Sequence, residues 1–85
     1  TSSCLMSVHR NPQWSREQIE NELNHQLGTE KVLWVDGGAL AGDDTDSHID
    51  QLVRFSRPGR VLAAVSSATH DENFDKLQTQ LDCLR

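Results

Sequence analysis

Short apolar runs, separated by turns that contain Gly or Pro, limit what this chain can fold into. Runs of about five residues occupy positions 4–8, 31–35 and 61–65. None approaches the roughly 20 residues that a membrane helix needs, so no membrane segment is expected. Buried strands are commonly this short, and a chain of 85 residues has room for one small core at most. The sequence therefore predicts a single small folded unit, residues 1–85, without an internal linker.

One helix has both of its ends marked in the sequence. Ser15 can cap the first turn, and Gln18 stands where a capping box needs it. Gly28 supplies a left-handed stop. Between these signals, apolar side chains recur every fourth residue at Ile19, Leu23 and Leu27. We therefore predict a helix over about residues 16–27.

The remaining elements are predicted from alternation and turns. Apolar and polar residues alternate from His48 to Phe55, which is typical of a strand. The turn signal at residues 57–59 then leads into the apolar run at 61–65, so the two segments should form an antiparallel hairpin. A last helix is predicted to begin near Asp71, which can cap it, because apolar residues follow at helical spacing. With strands at 4–8 and 31–35, the predicted fold class is α/β, in the order β-α-β-β-β-α.

Charge and cysteine content exclude several classes of function. The net charge of −5 argues against a nucleic-acid surface and is compatible with a cationic ligand. The start of the chain lacks a signal peptide, so a cytoplasmic location is expected. Cys4 and Cys83 are far apart and do not form a zinc-type pair, and we expect two buried thiols without a disulfide. Because residue 1 is not Met, the chain is expected to come from a longer protein.

Residues 43–50 hold an unusual density of acids around one histidine, with Asp at positions 43, 44, 46 and 50. On a strand, His48 and Asp50 would project from the same face with Cα atoms about 6.5–7 Å apart. A planar guanidinium could contact both, because a carboxylate accepts its forked N–H groups and a histidine transfers protons near neutral pH. This pair is the candidate site.

Two other interpretations of this segment remain at this point. A His-x-Asp spacing by itself is common, and His48 could be a hydrogen-bonded histidine beside a solvated acidic loop. A calcium loop is disfavoured, because Ile49 stands where that loop needs Gly and Phe55 stands where it needs a closing acid. No metal is therefore expected. The other histidines lack such acids and are predicted to lie on the surface, at positions 9, 25 and 70.

The longer string DDTDSHIDQLVRFSRPG at residues 43–59 resembles the histidine motif of the agmatine deiminase and bacterial-type peptidyl-arginine deiminase family. The resemblance continues through residues 10–12, 15–20, 30–34 and 61–64. It covers most of residues 4–66 and implies a pentein fold, in which related α/β units surround a central active site. This chain would supply about one unit, and the remaining units would be its partners. The surface of this chain on which those units would pack would then be exposed, which favours self-association into a homo-oligomer.

The resemblance also implies a mechanism and the roles of three residues. A cysteine thiolate attacks the guanidinium carbon, ammonia leaves, and water releases the product without a metal or organic cofactor. His48 would be the general acid and base, Asp50 would bind the guanidinium, and Asp44 would contribute to substrate binding. Ser47 occupies a position where the family often has Gly. Cys4 and Cys83 lack the family's nucleophile context, so the chain alone is expected to be inactive.

The expected substrate is agmatine, which would give N-carbamoylputrescine and ammonia in polyamine and putrescine biosynthesis. The string TDSHID at residues 45–50 is closer to that branch of the family. A peptidyl-arginine deiminase is the first alternative. A pentein-like interaction module without catalysis is the second.

Overall fold

The computed structural model describes all 85 residues. In chain order the elements are helix α1 (Ser2–Leu5), helix α2 (Arg16–Leu27), a 3₁₀ turn (Ile49–Gln51), strands β1 (Val53–Arg57) and β2 (Arg60–Ala63), and helix α3 (Phe74–Cys83). The only sheet is the two-stranded pair of β1 and β2. The mixed α/β class is confirmed. The order differs from the predicted one, since the chain has three helices and two strands. None of the helices has the length and apolar character required to cross a bilayer.

Helix α2 forms as its local signals predict. The Ser15 hydroxyl accepts a hydrogen bond from the Gln18 backbone N–H at 3.2 Å, and the Gln18 side chain accepts one from the Ser15 N–H at 2.8 Å. Gly28 ends the helix in the left-handed conformation, with φ 66°. Ile19 is the buried residue of this helix. The predicted bounds, 16–27, are confirmed because both ends are determined by residues within the helix and its caps.

The predicted hairpin is also confirmed. Strand β1 pairs antiparallel with β2, and the register changes between Phe55 and Arg57, which leaves Ser56 as a bulge residue. The turn consists of Pro58 and Gly59. Pro fixes φ near about −65°, and Gly59 has φ 71°, a value that favours glycine.

Two predicted strands are absent. Residues 4–8 were expected to be extended, but the chain is helical over Ser2–Leu5, and the Thr1 hydroxyl caps this helix by accepting from the Cys4 N–H at 3.2 Å. Residues 31–35 contain no assigned strand. A short apolar run does not by itself distinguish a strand from a helix. A strand also needs a neighbour with which to pair, and neither segment has a ladder partner within this chain.

The strand predicted from His48 begins only at Val53. His48 itself is extended, with φ −61° and ψ 144°, but it precedes the 3₁₀ turn, which Leu52 closes by donating to the Ile49 carbonyl at 2.9 Å. His48 and Asp50 therefore do not lie on one strand face. Apolar and polar residues do alternate from His48 to Phe55, but the backbone forms the 3₁₀ turn before it enters strand β1.

The core is small and combines three helices with the segment at residues 31–35. Its buried apolar side chains are Cys4, Ile19, Val35 and Leu77. Both cysteines are free thiols, as expected, but only Cys4 is buried, and Cys83 is exposed on the last turn of α3. The expectation of two buried thiols is therefore wrong for Cys83, because the apolar stripe of α3 turns Leu77 inward instead.

Helix α3 and its N-cap hold the loop at residues 37–41, which follows the segment at residues 31–35. A Cβ atom added to Gly37 would lie 2.8 Å from the Lys76 carbonyl oxygen and 2.8 Å from Gln80 Cγ. The Lys76 ammonium donates to the Ala39 carbonyl at 2.6 Å. The Asn73 amide both accepts from and donates to the backbone of Ala41, at 2.7 and 3.2 Å. The C-terminal helix thus determines the path of residues 37–41.

We predict that Gly37→Ala destabilises the chain by about 1–3 kcal/mol, because the new Cβ meets backbone as well as a side chain. Urea unfolding monitored by circular dichroism measures the change. Gly38→Ala is the matched control, since Gly38 also has positive φ, at 78°, but its added Cβ would have no neighbour within 4 Å. Equal losses in both variants would show that the close approach of α3 does not matter.

Candidate functional site

Asp43 organises the acidic loop that precedes His48. One carboxylate oxygen accepts from the Thr45 backbone N–H at 2.9 Å and from the Thr45 hydroxyl at 2.5 Å. The other oxygen accepts from the Ser47 N–H at 2.7 Å. The hydrogen bond from the Thr45 hydroxyl is the main cause that lowers the pKa of Asp43 below its ordinary value, with smaller contributions from the two backbone N–H groups and from His48. Asp43 is therefore more than the solvated loop acid that the sequence suggested.

The backbone reverses at the two residues just before the histidine. Asp46 and Ser47 both have positive φ, 60° and 62°. Non-glycine residues pay roughly 1–2 kcal/mol for this conformation, which explains why glycine suits position 47. Ser47 is buried, and its carbonyl oxygen accepts from the Thr1 hydroxyl at 2.5 Å. The cap of α1 and the acidic loop are thereby joined.

His48 has a different partner on each ring nitrogen. Its Nε2 lies 2.9 Å from the Arg10 Nη2, and its Nδ1 lies 4.0 Å from the Asp50 Oδ1. The same Arg10 nitrogen is 3.7 Å from the Asp46 carboxylate. The ring is 45% exposed and the Asp50 side chain 74% exposed, so both are open to a ligand. The 3₁₀ turn, rather than a strand, brings His48 and Asp50 together.

His48 borders a cavity of about 230 Å³. The acidic loop and the loop held by α3 form most of its wall, and its lining residues are Gly38, Leu40, Ala41, Gly42, Asp43, Asp44, Thr45, Ser47, His48, Gln51 and Leu52. Of the predicted site residues, His48 and Asp44 thus share one cavity. Asp50 does not line it and instead borders a shallow cleft along the hairpin.

Several residues of this site were missed by the sequence reasoning. Arg10 is separated from His48 by 38 positions, so no local pattern connects them. The loop at residues 38–42 carried no chemical signal beyond its glycines. Neither Cys4 nor Cys83 lines the cavity. Nowhere in the chain do three or more His, Cys, Asp or Glu side chains gather as a metal site would require.

Solved structures of deiminases contain the fold of this chain. The chain superposes on an agmatine deiminase of C. jejuni with substrate bound, with a TM-score of 0.90 and 32% identity, covering 98% of this chain and 25% of that one. The model of the family described as Porphyromonas-type peptidyl-arginine deiminase matches residues 1–85. The chain belongs to this family.

Curated relatives agree with the structural match. An agmatine deiminase of Stutzerimonas stutzeri is 40% identical over 85 residues, which is 100% of this chain and 23% of the relative. An agmatine deiminase of Medicago truncatula is 40% identical over 76 residues, 89% of this chain and 20% of the relative. The chain spans about a quarter of the length of the curated relatives it matches.

The lowered pKa of Asp43 predicts a specific dependence of stability on pH. A carboxyl group whose pKa is lower in the folded state binds fewer protons there than in the unfolded chain. Its contribution is complete above the ordinary value of 3.8 and is lost as the pH falls through the lower, folded value. We expect Asp43→Asn to be less stable at neutral pH, and to lose less stability on acidification than the unmodified chain.

Urea unfolding at a series of pH values down to about pH 3 tests this expectation. Asp44→Asn is the matched control, because the neighbouring Asp44 makes no hydrogen bond in the loop. If both variants show the same pH dependence, Asp43 does not hold the loop.

Proposed function

We propose that this chain is the histidine-bearing segment, residues 1–85, of the catalytic domain of a longer guanidine deiminase, and that the substrate is agmatine. The observation that carries the proposal is the pair of His48 and Asp50. The His48 Nδ1 lies 4.0 Å from the Asp50 Oδ1, and both side chains are exposed. A carboxylate and an imidazole at this separation can contact one planar guanidinium together. The products would be N-carbamoylputrescine and ammonia, in a cytoplasmic step of polyamine biosynthesis leading to putrescine.

In the proposed reaction, a cysteine from another part of the longer protein attacks the guanidinium carbon as a thiolate. The C–N bond to the leaving nitrogen breaks, and His48 supplies the proton with which ammonia departs. Water then attacks the same carbon while His48 accepts its proton, and the C–S bond breaks to restore the thiolate. Asp50 would hold the N–H groups of the substrate, and Asp44, on the cavity wall, would contribute a second negative charge.

Agmatine is favoured over a peptidyl arginine by the names of the relatives. The curated relatives and the substrate-bound structural neighbour are agmatine deiminases, while the family description names a peptidyl-arginine deiminase. Rates measured on agmatine and on an arginine-containing peptide would separate the two. Hydrolysis of neither substrate by the full-length protein would favour an interaction module without catalysis.

Kinetics of the full-length protein test the assigned roles. We expect His48→Ala to lower turnover by roughly 10²–10⁴-fold, the usual contribution of general acid–base catalysis. Asp50→Asn should weaken binding and turnover together, because the amide places N–H donors against the N–H donors of the substrate. Asp44→Asn should mainly raise KM. The 85-residue chain alone should form no product, since it lacks the nucleophile.

Glu30→Gln is the neutral control, since Glu30 is exposed and makes no hydrogen bond or ion pair. A His48→Ala variant that is folded by circular dichroism and retains full activity would contradict the assignment.

The rest of the longer protein is proposed to cover an apolar face of this chain. A groove of about 520 Å³ lies between the segment at residues 31–35, the hairpin and the end of α3. Its lining residues are Lys31, Leu33, Val35, Ile49, Val53, Phe55, Val61 and Leu84. Leu33 and Phe55 are 51% and 70% exposed. The expectation of exposed apolar surface is confirmed. Since relatives are about four times longer than this chain, their additional units are the natural occupant.

Without those units the groove should cause the chain to self-associate. We expect sedimentation velocity to show oligomers whose proportion rises with concentration. The double variant Leu33→Ser, Phe55→Ser should be mainly monomeric. Leu27→Ser is the control, because Leu27 is 69% exposed on α2 but does not line the groove. A chain that is monomeric at all concentrations would refute the role given to this face.

A further inference from the structure

The contact between Arg10 and His48 determines where the histidine carries its proton. A guanidinium has five N–H donors and no acceptor. At 2.9 Å, its partner atom Nε2 must therefore supply a lone pair, because an Nε2–H group would face another donor. The proton of the neutral ring is then on Nδ1. That nitrogen faces the Asp50 carboxylate, 4.0 Å away, which is an acceptor. Both neighbours favour the same tautomer.

We propose that Arg10 is a positioning residue that keeps neutral His48 in the Nδ1–H tautomer and so reserves Nε2 as the nitrogen that takes up a proton. This inference rests on the proposed function, in which neutral His48 accepts a proton from water after ammonia has left. The residue acts through His48 and makes no contact of its own with the reacting atoms.

Arg10 has a second partner available when the ring becomes charged. Once a proton binds Nε2, the imidazolium N–H and the guanidinium N–H oppose each other. The Asp46 carboxylate is 3.7 Å from the same Arg10 nitrogen, so the guanidinium can turn toward Asp46 with a small movement. The charged ring keeps its Nδ1–H toward Asp50. Each proton and each charge thus has a partner before and after the transfer.

The tautomer is directly observable by NMR. In the ¹⁵N-labelled chain at alkaline pH, where imidazole rings are neutral, the ¹⁵N shifts of the His48 ring should identify a protonated Nδ1 and an unprotonated Nε2. Arg10→Met should abolish this preference, and Arg10→Lys should retain it, because an ammonium also donates. Arg54→Met removes an equal charge from an exposed site on β1 and should leave the ring unchanged.

Circular dichroism would test whether each variant is folded, and Arg10→Lys provides the comparison if Arg10→Met does not fold. An Nε2–H tautomer in the unmodified chain, or an unchanged tautomer in folded Arg10→Met, would overturn the proposal. Loss of the tautomer preference in both single variants, Arg10→Lys and Arg54→Met, would also overturn it.

Kinetics give an independent measurement in the full-length protein. Arg10→Met should lower kcat with little change in KM, by less than the roughly 10²–10⁴-fold expected when the acid–base group itself is lost. A KM effect without a kcat effect would instead make Arg10 a binding residue and refute the positioning role. The ¹⁵N result does not depend on activity. Absence of deiminase activity would therefore refute the proposed function and leave the tautomer test standing.

Discussion

The small core of this chain determines how its loops must be held. Four apolar side chains, Cys4, Ile19, Val35 and Leu77, are buried, and a core of that size cannot fix long connections by packing. Side-chain hydrogen bonds to the backbone do so instead. Asp43 holds the acidic loop. Asn73, at the N-cap of α3, and Lys76, within α3, hold the neighbouring loop at residues 37–41. The cavity beside His48 lies between these two tethered loops, so its shape depends on polar contacts more than on burial.

The parts of the fold that the sequence predicted are those whose causes are local. Helix α2 is delimited by Ser15 and Gly28, and the hairpin by its Pro58-Gly59 turn. The predicted strands at 4–8 and 31–35 are absent because pairing depends on distant neighbours, which no local pattern reveals. The strand expected from His48 starts later for a related reason. Its alternation continues through a 3₁₀ turn, and alternation alone does not detect a turn.

The candidate site was predicted in part for the same physical reason. His48, Asp44 and Asp50 follow from a contiguous motif, whereas Arg10 reaches His48 from 38 positions away. Asp43 was within the motif, but its function as a hydrogen-bond acceptor for Thr45 and Ser47 requires the backbone path to be known. That path includes two consecutive residues at positive φ, Asp46 and Ser47. Neither is glycine, so the residue types did not predict this conformation. The sequence thus indicated candidate residues, and the structure shows which side chains contact them.

The acidic side chains around His48 also balance the positive charge of the Arg10 guanidinium. Arg10 is itself a guanidinium, and it already contacts the imidazole and an acidic side chain. Its ion pair with Asp46 is exposed, and exposed pairs contribute only about 0–1 kcal/mol. In the proposed reaction, a substrate guanidinium paired with Asp50 would be a second cation beside this ring. Asp46 and Asp50 would then each balance the charge of one guanidinium group. A net negative loop is what allows two such cations near one histidine.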